Sequence, residues 1–287
     1  MSIEREDLPT TIYTPDSAIA NPRRLLGDML RDLRASRELA WRLAVRDISA
    51  QYRQTALGFA WALLPPLALA AIWIFLGTSG VLNIGATAIP YPAFVLAGAM
   101  TWAIFTDAVT SPLQGVSTSR DMLARINFPR EAIVISGLYQ VAFGAAIKLL
   151  ILLALLYALG VSPDIGLCLA PLGILVLVLA GTVLGLLITP LGLLYADVVK
   201  ALPILLQFLL YLTPVIYPLP QLGPHRTLLL INPLTAPVDA TRAWLTGGST
   251  ELAASLLLTG LGGVVLLAAL WVVYRLAMPI VIERMSA

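Results

Sequence analysis

The chain has 287 residues, 59% of them hydrophobic and 12% charged, whereas an ordinary soluble domain carries about 25% charged residues and about 45–50% apolar ones. That balance excludes a soluble globular domain and points to helices in lipid. A formal net charge of +2 gives no reason to expect a nucleic-acid partner, and the single cysteine, Cys168, excludes a disulfide framework within the chain.

Residues 1–54 read as a cytoplasmic leader with an amphipathic interface helix, and residues 55–287 as a transmembrane domain. Glu4, Arg5, Glu6 and Asp7 occupy the start where an apolar core would be needed, so no cleavable signal peptide is expected. Asn21 and Pro22 then form a helix start, with asparagine as the cap and proline at the first helical position. Leu26, Met29, Leu30 and Leu33 come next at i, i+3, i+4 and i+7. Leu39, Trp41, Leu43, Val45 and Ile48 continue the apolar side, with Arg31, Arg34, Arg42 and Arg46 among the polar positions. The pattern predicts a pair of amphipathic helices on a membrane surface; a small soluble hairpin seated on a partner would show the same stripe. From Thr55 to Leu76 no ionisable residue occurs. Arg46, Tyr52 and Arg53 are therefore placed at the corner between surface and bilayer.

Crossing a hydrocarbon core of about 30 Å takes roughly 20 helical residues. Apolar runs of that order lie at about 57–78, 92–113, 132–159, 167–190, 201–219 and 252–274. Six spans leave both chain ends on one side. Of 18 lysines and arginines, those up to Arg53, those of the second-to-third connection (Arg120, Arg125, Arg130), Lys200, Arg275 and Arg284 share that side, while the opposite one holds Arg226 and Arg242. The positive-inside rule makes both termini cytoplasmic. Pro65 and Pro66 interrupt the first run, Thr189-Pro190 closes the fourth, Pro203 opens the fifth and Thr213-Pro214 lies near its end. Such breaks survive in lipid only beside protein or water, so the first and fifth spans are expected to face the protein interior.

Between the second and third spans, Ser119 can cap a short helix with Arg120 and Asp121 in its first turn, ended by Pro129. A plain positive loop is the other reading. Between Pro218 and Thr250 the apolar Leu228–Ile231 is too short to cross, and Asn232-Pro233 and Pro237 interrupt the chain beyond it. Two short external re-entrant or interfacial helices are the economical reading there, with a loop flat on the outer leaflet as the alternative. Pro214, Tyr217, Asn232 and Pro233 would frame these helices as an external gate. Asp239 and Arg242, spaced i to i+3, would form an exposed pair worth about 0.3–0.5 kcal/mol, contact a substrate, or stand solvated.

A charge at mid-span costs about 2.5–3.5 kcal/mol, so Lys148 and Asp107 each require a reason. Lys148 either snorkels to the outer headgroups or contacts a substrate pyrophosphate or an outer-leaflet lipid; Asp107 either makes a helix contact or lines a wet conduit. Neither lysine, Lys148 or Lys200, comes after a glycine, so the phosphate-cradling motif is absent from this sequence. Asp107, Asp164, Asp197 and Asp239 stand on separate segments, as does His225. No catalytic residue and no metal site is expected. Aromatic residues gather on the first, second and fifth spans: Trp61, Trp73, Tyr91, Phe94, Trp102, Phe105, Phe208, Tyr211 and Tyr217. They suit an interfacial belt, and they suit stacking on sugar faces.

Four segments carry a family resemblance: Tyr52-Arg53-Gln54-Thr55-Ala56-Leu57-Gly58 with Trp61 and Pro65; Phe128-Pro129-Arg130; Thr213-Pro214-Val215-Ile216-Tyr217-Pro218; and Asn232-Pro233-Leu234. In type and order they resemble the permease subunits of type-2 ABC exporters for O-antigen, teichoic acid and capsule polysaccharides. The resemblance implies an all-α polytopic membrane protein with six transmembrane helices, an amphipathic interface helix and external re-entrant helices between spans five and six. It implies a homodimer in a bacterial inner membrane, joined by two ABC ATPase subunits that hold ATP and Mg, with no cofactor in this chain. The cargo would be a polyprenyl-pyrophosphate-linked glycan. By the same resemblance the connector is a coupling helix, with Arg120, Asp121, Arg125 and Arg130 toward the ATPase. The conduit would be lined by Trp61, Trp73, Tyr91, Trp102, Phe105, Phe208 and Tyr211. An exporter of a drug or small lipid, or a polytopic lipid-glycan enzyme or scaffold without an ATPase, remains compatible with the residues alone.

Overall fold

A computed structural model describes residues 22–53, 58–81, 87–119, 122–123, 128–162, 164–219 and 226–286. Its first element, α1 (Pro22–Arg53), is one continuous 32-residue helix and not the expected pair. No glycine or proline interrupts residues 28–53, so nothing in the backbone stops it. Met29, Ser36, Ala40, Leu43 and Ala44 are buried along one stripe, while Leu30, Trp41 and Val45 are exposed. The buried stripe lies against α4 (Glu131–Ala158), and the edge of Trp41 meets the Tyr139 ring at 5.7 Å.

The first expected span is a 3-10 turn (Gly58–Ala62) leading into α2 (Leu64–Thr78), 15 residues long. Pro65 and Pro66 sit in the opening turn of α2 and do not break its interior, because a first-turn amide has no helical acceptor to lose. At 1.5 Å per residue α2 alone reaches about 22 Å. Among the described residues, four helical stretches are long and apolar enough to cross a membrane: α3 (Tyr91–Thr118), α4, the stretch Ile165–Leu194 that contains α5 (Ala170–Leu194), and Ala253–Val281 within α9 (Ala253–Ser286). Between α5 and α9 come α6 (Ala196–Tyr211), α7 (Arg226–Ile231) and α8 (Thr235–Leu245). Two boundary expectations fail. Pro190 lies inside α5 and Pro203 inside α6, so neither ends nor opens a helix.

The core is centred on α3, whose Ala93, Val95, Ala97, Ala99, Met100, Phe105, Ala108 and Val109 are at most 1% exposed. It packs against α5, α4, α2 and α8. The α3–α5 contact is made by glycine. A Cβ at Gly181 would stand 2.7 Å from Ala108 Cβ and 2.8 Å from the Phe105 carbonyl oxygen. One at Gly185 would stand 2.5 Å from the Val109 carbonyl oxygen. Gly181 and Gly185 form a small-xxx-small face, which lets two backbones approach where lipid offers no hydrophobic incentive. Nearer the start of α5, a Cβ at Gly173 would overlap the Thr241 hydroxyl of α8.

Much of the surface of the long helices is apolar. Leu257, Leu258, Leu261, Val264 and Val265 of α9, Leu150 and Tyr157 of α4, and Ile204, Leu205 and Phe208 of α6 are all exposed. Patches of this kind do not face water in a stable monomer; hydrocarbon or another protein covers them.

Substituting Gly181→Leu should force α3 and α5 apart and cost about 1–3 kcal/mol or more. Gly262→Leu on α9, where nothing lies within 4 Å of the added Cβ, should be neutral. Thermal unfolding of the two variants in detergent checks this: equal midpoints would show that the seam is not required.

Candidate functional site

Where α6 ends, the chain turns through Thr213 and Pro214, and two proline-bearing segments are tied together. The Thr213 hydroxyl donates to the Leu209 carbonyl at 2.8 Å. Asn232 Nδ2 donates to the Leu212 carbonyl (3.1 Å) and to Thr213 Oγ1 (2.9 Å), while its Oδ1 accepts from the Leu234 amide (3.0 Å). The Pro233 carbonyl accepts from the Thr259 hydroxyl of α9 at 3.3 Å. Tyr217 donates its hydroxyl to the Tyr211 carbonyl (2.7 Å), and Tyr91 donates to the Ile216 carbonyl (3.2 Å). Gly98 permits this docking, since any Cβ there would overlap the Val215 carbonyl.

Arg242, on α8, closes the knot. Its Nη2 donates to Asp239 Oδ1 at 2.7 Å and its Nη1 to the carbonyls of Pro214 (2.8 Å) and Val215 (3.3 Å). The guanidinium also lies 3.8 Å from the centroid of the Phe94 ring, within cation–π range. Carbonyls in a turn that cannot continue as helix need outside donors, and arginine supplies several in one plane. The expected exposed pair is therefore overturned: Arg242 is 4% exposed, and breaking a buried, hydrogen-bonded charge costs several kcal/mol rather than tenths. A cavity of about 450 Å³ adjoins the knot, with Phe94, Pro218, Asp239, Arg242 and Glu251 in its wall.

In the middle of the bundle the two unexplained charges meet. Lys148 Nζ donates to Asp107 Oδ2 at 2.6 Å, with side-chain exposures of 4% and 43%. Snorkelling is thus excluded for Lys148, whose ammonium has a partner on the neighbouring helix. Mutual neutralisation explains how both charges are tolerated in a span. Asp107 borders a cleft of about 310 Å³ between the end of α1, the turn before α2, α3 and α4. A second cavity, of about 680 Å³, lies among α3, α5 and α6, with Gln114 and Lys200 in its wall.

The aromatic candidates separate into two groups. Trp102 and Phe105 are core residues, 5% and 0% exposed, with centroids 4.9 Å apart, and in this chain they support packing. Trp61, Phe208 and Tyr211 are exposed, and Trp73 meets Tyr211 at 6.2 Å across α2 and α6. Tyr91 is part-buried and stacks on Phe94 with centroids 6.5 Å apart.

At the opposite end of α3 from the knot, three helices are clamped together. Arg275 of α9 donates from Nη1 to Glu131 Oε1 at 2.8 Å and from Nη2 to Asp32 Oδ2 at 2.6 Å. It thereby joins the start of α4 to α1. The sequence placed Arg275 on the side of the termini but gave none of the three residues a partner; the available signal was their position, ionisable groups flanking apolar runs. Arg130 precedes Glu131, and burial draws its pKa below the ordinary arginine value while Tyr274 and Glu131 raise it. Arg120, Asp121 and Arg125 lie outside the described residues, as does the Tyr52 side chain. Arg53 is exposed, and Arg46 pairs with Asp47 at 2.7 Å, whose Oδ2 accepts from Gln140 of α4 at 3.3 Å. Among the described residues, no three histidine, cysteine, aspartate or glutamate side chains gather as metal ligands.

Residues 38–245 match the ABC-2 type transporter family, a range that contains the knot, the buried pair and the cleft. The chain is 26% identical over 219 residues to the O-antigen export system permease protein RfbA of Myxococcus xanthus, covering 75% of this chain and 83% of that protein. It is 21% identical over 177 residues to the protein of the same name from Klebsiella pneumoniae, covering 60% of this chain and 66% of that one.

Replacing Arg242 by methionine should leave Asp239 and two turn carbonyls without donors and destabilise the fold by about 3–5 kcal/mol. Asp239→Leu combined with Arg242→Met removes the stranded carboxylate and should recover part of that loss. Thermal unfolding of the single and double variants is the measurement; a single-variant loss below about 0.5 kcal/mol would place the pair with ordinary surface contacts.

Proposed function

Because the chain belongs to the ABC-2 type transporter family, we propose that it is the membrane subunit of an ATP-driven exporter, moving a lipid-linked polysaccharide from the cytoplasm across the inner membrane. The observation that carries this reading is the family match across residues 38–245, together with relatives named as O-antigen export permeases. Those relatives favour a polysaccharide over a drug or small lipid as cargo. The sequence has no phosphate-cradling lysine motif, so ATP and Mg are held by a separate ATPase subunit, two copies of which join a homodimer of this chain.

Six spans complete the bundle, with the 3-10 turn and α2 as the first and α6 as the fifth. Gly58–Thr78 supplies enough residues for a crossing, since 3-10 backbone rises about 2.0 Å per residue against 1.5 Å for α-helix. Helix α1 lies on the cytoplasmic surface, its exposed Leu30, Trp41 and Val45 toward acyl chains and its arginines toward anionic headgroups. The Arg275–Glu131–Asp32 clamp ties α1 to the bundle beside the connector, where Arg120, Asp121, Arg125 and Arg130 would receive the ATPase. Helices α7 and α8 are the external re-entrant pair. Pro214, Tyr217, Asn232, Pro233, Asp239 and Arg242 frame the gate, and Trp61, Trp73, Tyr91, Phe208 and Tyr211 are the lining candidates that remain outside the core.

Two measurements test this. With both termini cytoplasmic, the turn Ile165–Cys168 is external, and Cys168 is exposed and is the chain's single cysteine. A membrane-impermeant maleimide should label it in intact spheroplasts; labelling only after permeabilisation would invert the topology. Coexpressed with its ATPase, the chain should copurify as a complex that exports glycan only with hydrolysable ATP. Asp121→Arg with Arg125→Glu should abolish export while leaving the chain folded. Unchanged export would remove the coupling role from the connector.

A further inference from the structure

The cleft beside the buried ion pair has a chemistry that neither an ion nor a lipid tail matches. Asp107 presents a carboxylate that is 43% exposed, while Lys148, which also lines the cleft, is 4% exposed and already paired with it at 2.6 Å. An incoming phosphate would meet the carboxylate before the ammonium, and a cation would enter a site whose negative charge is already satisfied. What the wall offers instead is neutral polarity: the amides of Gln51, Gln114 and Gln140 and the Ser111 hydroxyl, with Trp61 and Pro65 as apolar facing. Each amide both donates and accepts, and a carboxylate keeps acceptor capacity after one bond. Trp61 is 52% exposed, so its ring is available for stacking.

Hydroxyl groups that donate and accept around an apolar C–H face are the chemistry of a sugar ring. The volume, about 310 Å³, lies at the lower end of the range for small-ligand sites and suits a single sugar unit. Gly144 keeps the floor open. A Cβ there would stand 3.6 Å from Lys148 Nζ and 3.9 Å from Asp107 Oδ2, so a longer side chain would lie across the pair. We propose that this cleft is a sugar-binding subsite, distinct from the aromatic residues of α6, in which Asp107 and the glutamines bind hydroxyls and Trp61 takes the apolar face. Lys148 is a positioning residue that holds the Asp107 carboxylate in place. The identity of the sugar's source as transported glycan rests on the function proposed above; binding by the cleft does not.

The full-length chain in phosphatidylethanolamine nanodiscs provides the test, with methyl mannoside and N-acetylglucosamine as probes in saturation-transfer NMR and inorganic pyrophosphate as the charged probe. Sugar signal is expected for the unaltered chain and for Gly262→Leu, and should fall about tenfold in Gly144→Leu, the loss of roughly one or two hydrogen bonds. Asp107→Leu with Lys148→Met replaces a buried pair by apolar groups, which tends to preserve folding, and should also lose the sugar signal. Sugar binding unchanged in both the Gly144→Leu and the double variant would overturn the proposal, as would pyrophosphate binding that depends on the same residues. Signal abolished when phosphatidylglycerol replaces phosphatidylethanolamine would assign the cleft to a lipid headgroup and equally overturn it. Glycan export measured in parallel separates the two readings: sugar binding without export leaves the subsite and removes the exporter, and export without sugar binding does the reverse.

Discussion

Hydrocarbon gives two helices no hydrophobic reason to associate, so close backbone approach must come from shape. In this chain it comes from α5, where Gly181 and Gly185 admit Phe105, Ala108, Val109 and Pro112 of α3 at distances that no side chain would allow. Once α3 is fixed against α5, its remaining faces take α4 and α2. Its first turns receive the chain leaving α6 through Gly98 and Val215, and its middle carries Asp107 to Lys148. The polar features therefore inherit their geometry from a contact made by residues without side chains.

Charge is distributed on the same logic. Arg242, Lys148 and Arg275 each find carboxylate partners on another turn or another helix. Three of these links join segments far apart in the chain: Arg275 reaches back 243 residues to Asp32 and 144 to Glu131, and Lys148 reaches 41 to Asp107. In a medium that solvates no charge, pairing is a condition of burial, and each of the three cations acts as a tie, Arg242 through the Pro214 and Val215 carbonyls and the other two through their carboxylates. One tie stands at the level where α3 begins, one near the middle and one at the far end. The bundle is held at three heights while its outer surface stays apolar.

This arrangement leaves polar volume inside and apolar surface outside, as expected of a permease. The aromatic residues obey the same division: Trp102 and Phe105 are consumed by the core, while Trp61, Phe208 and Tyr211 remain exposed. Spacing along a helix does not separate these roles, because a helix buried on nearly all sides offers no polar face to mark its inner one.

What the sequence by itself determined was the class and the landmarks: a helical membrane protein, its long apolar runs, and the proline motifs at residues 213–218 and 232–234, because hydropathy and missing backbone amides act locally. It also contained the long surface stripe of α1, although the continuity of that helix depended on the absence of a breaker, a weaker signal than the presence of one. The partners were decided only by the tertiary structure. Asn232 bonding Thr213, Arg242 bonding the Pro214 carbonyl, Lys148 bonding Asp107 and Arg275 bonding both Glu131 and Asp32 all bring together residues that no local period relates. Their pairing is set by which helix faces touch, and those faces are chosen by glycine contacts whose strength lies in packing distance rather than in residue pattern.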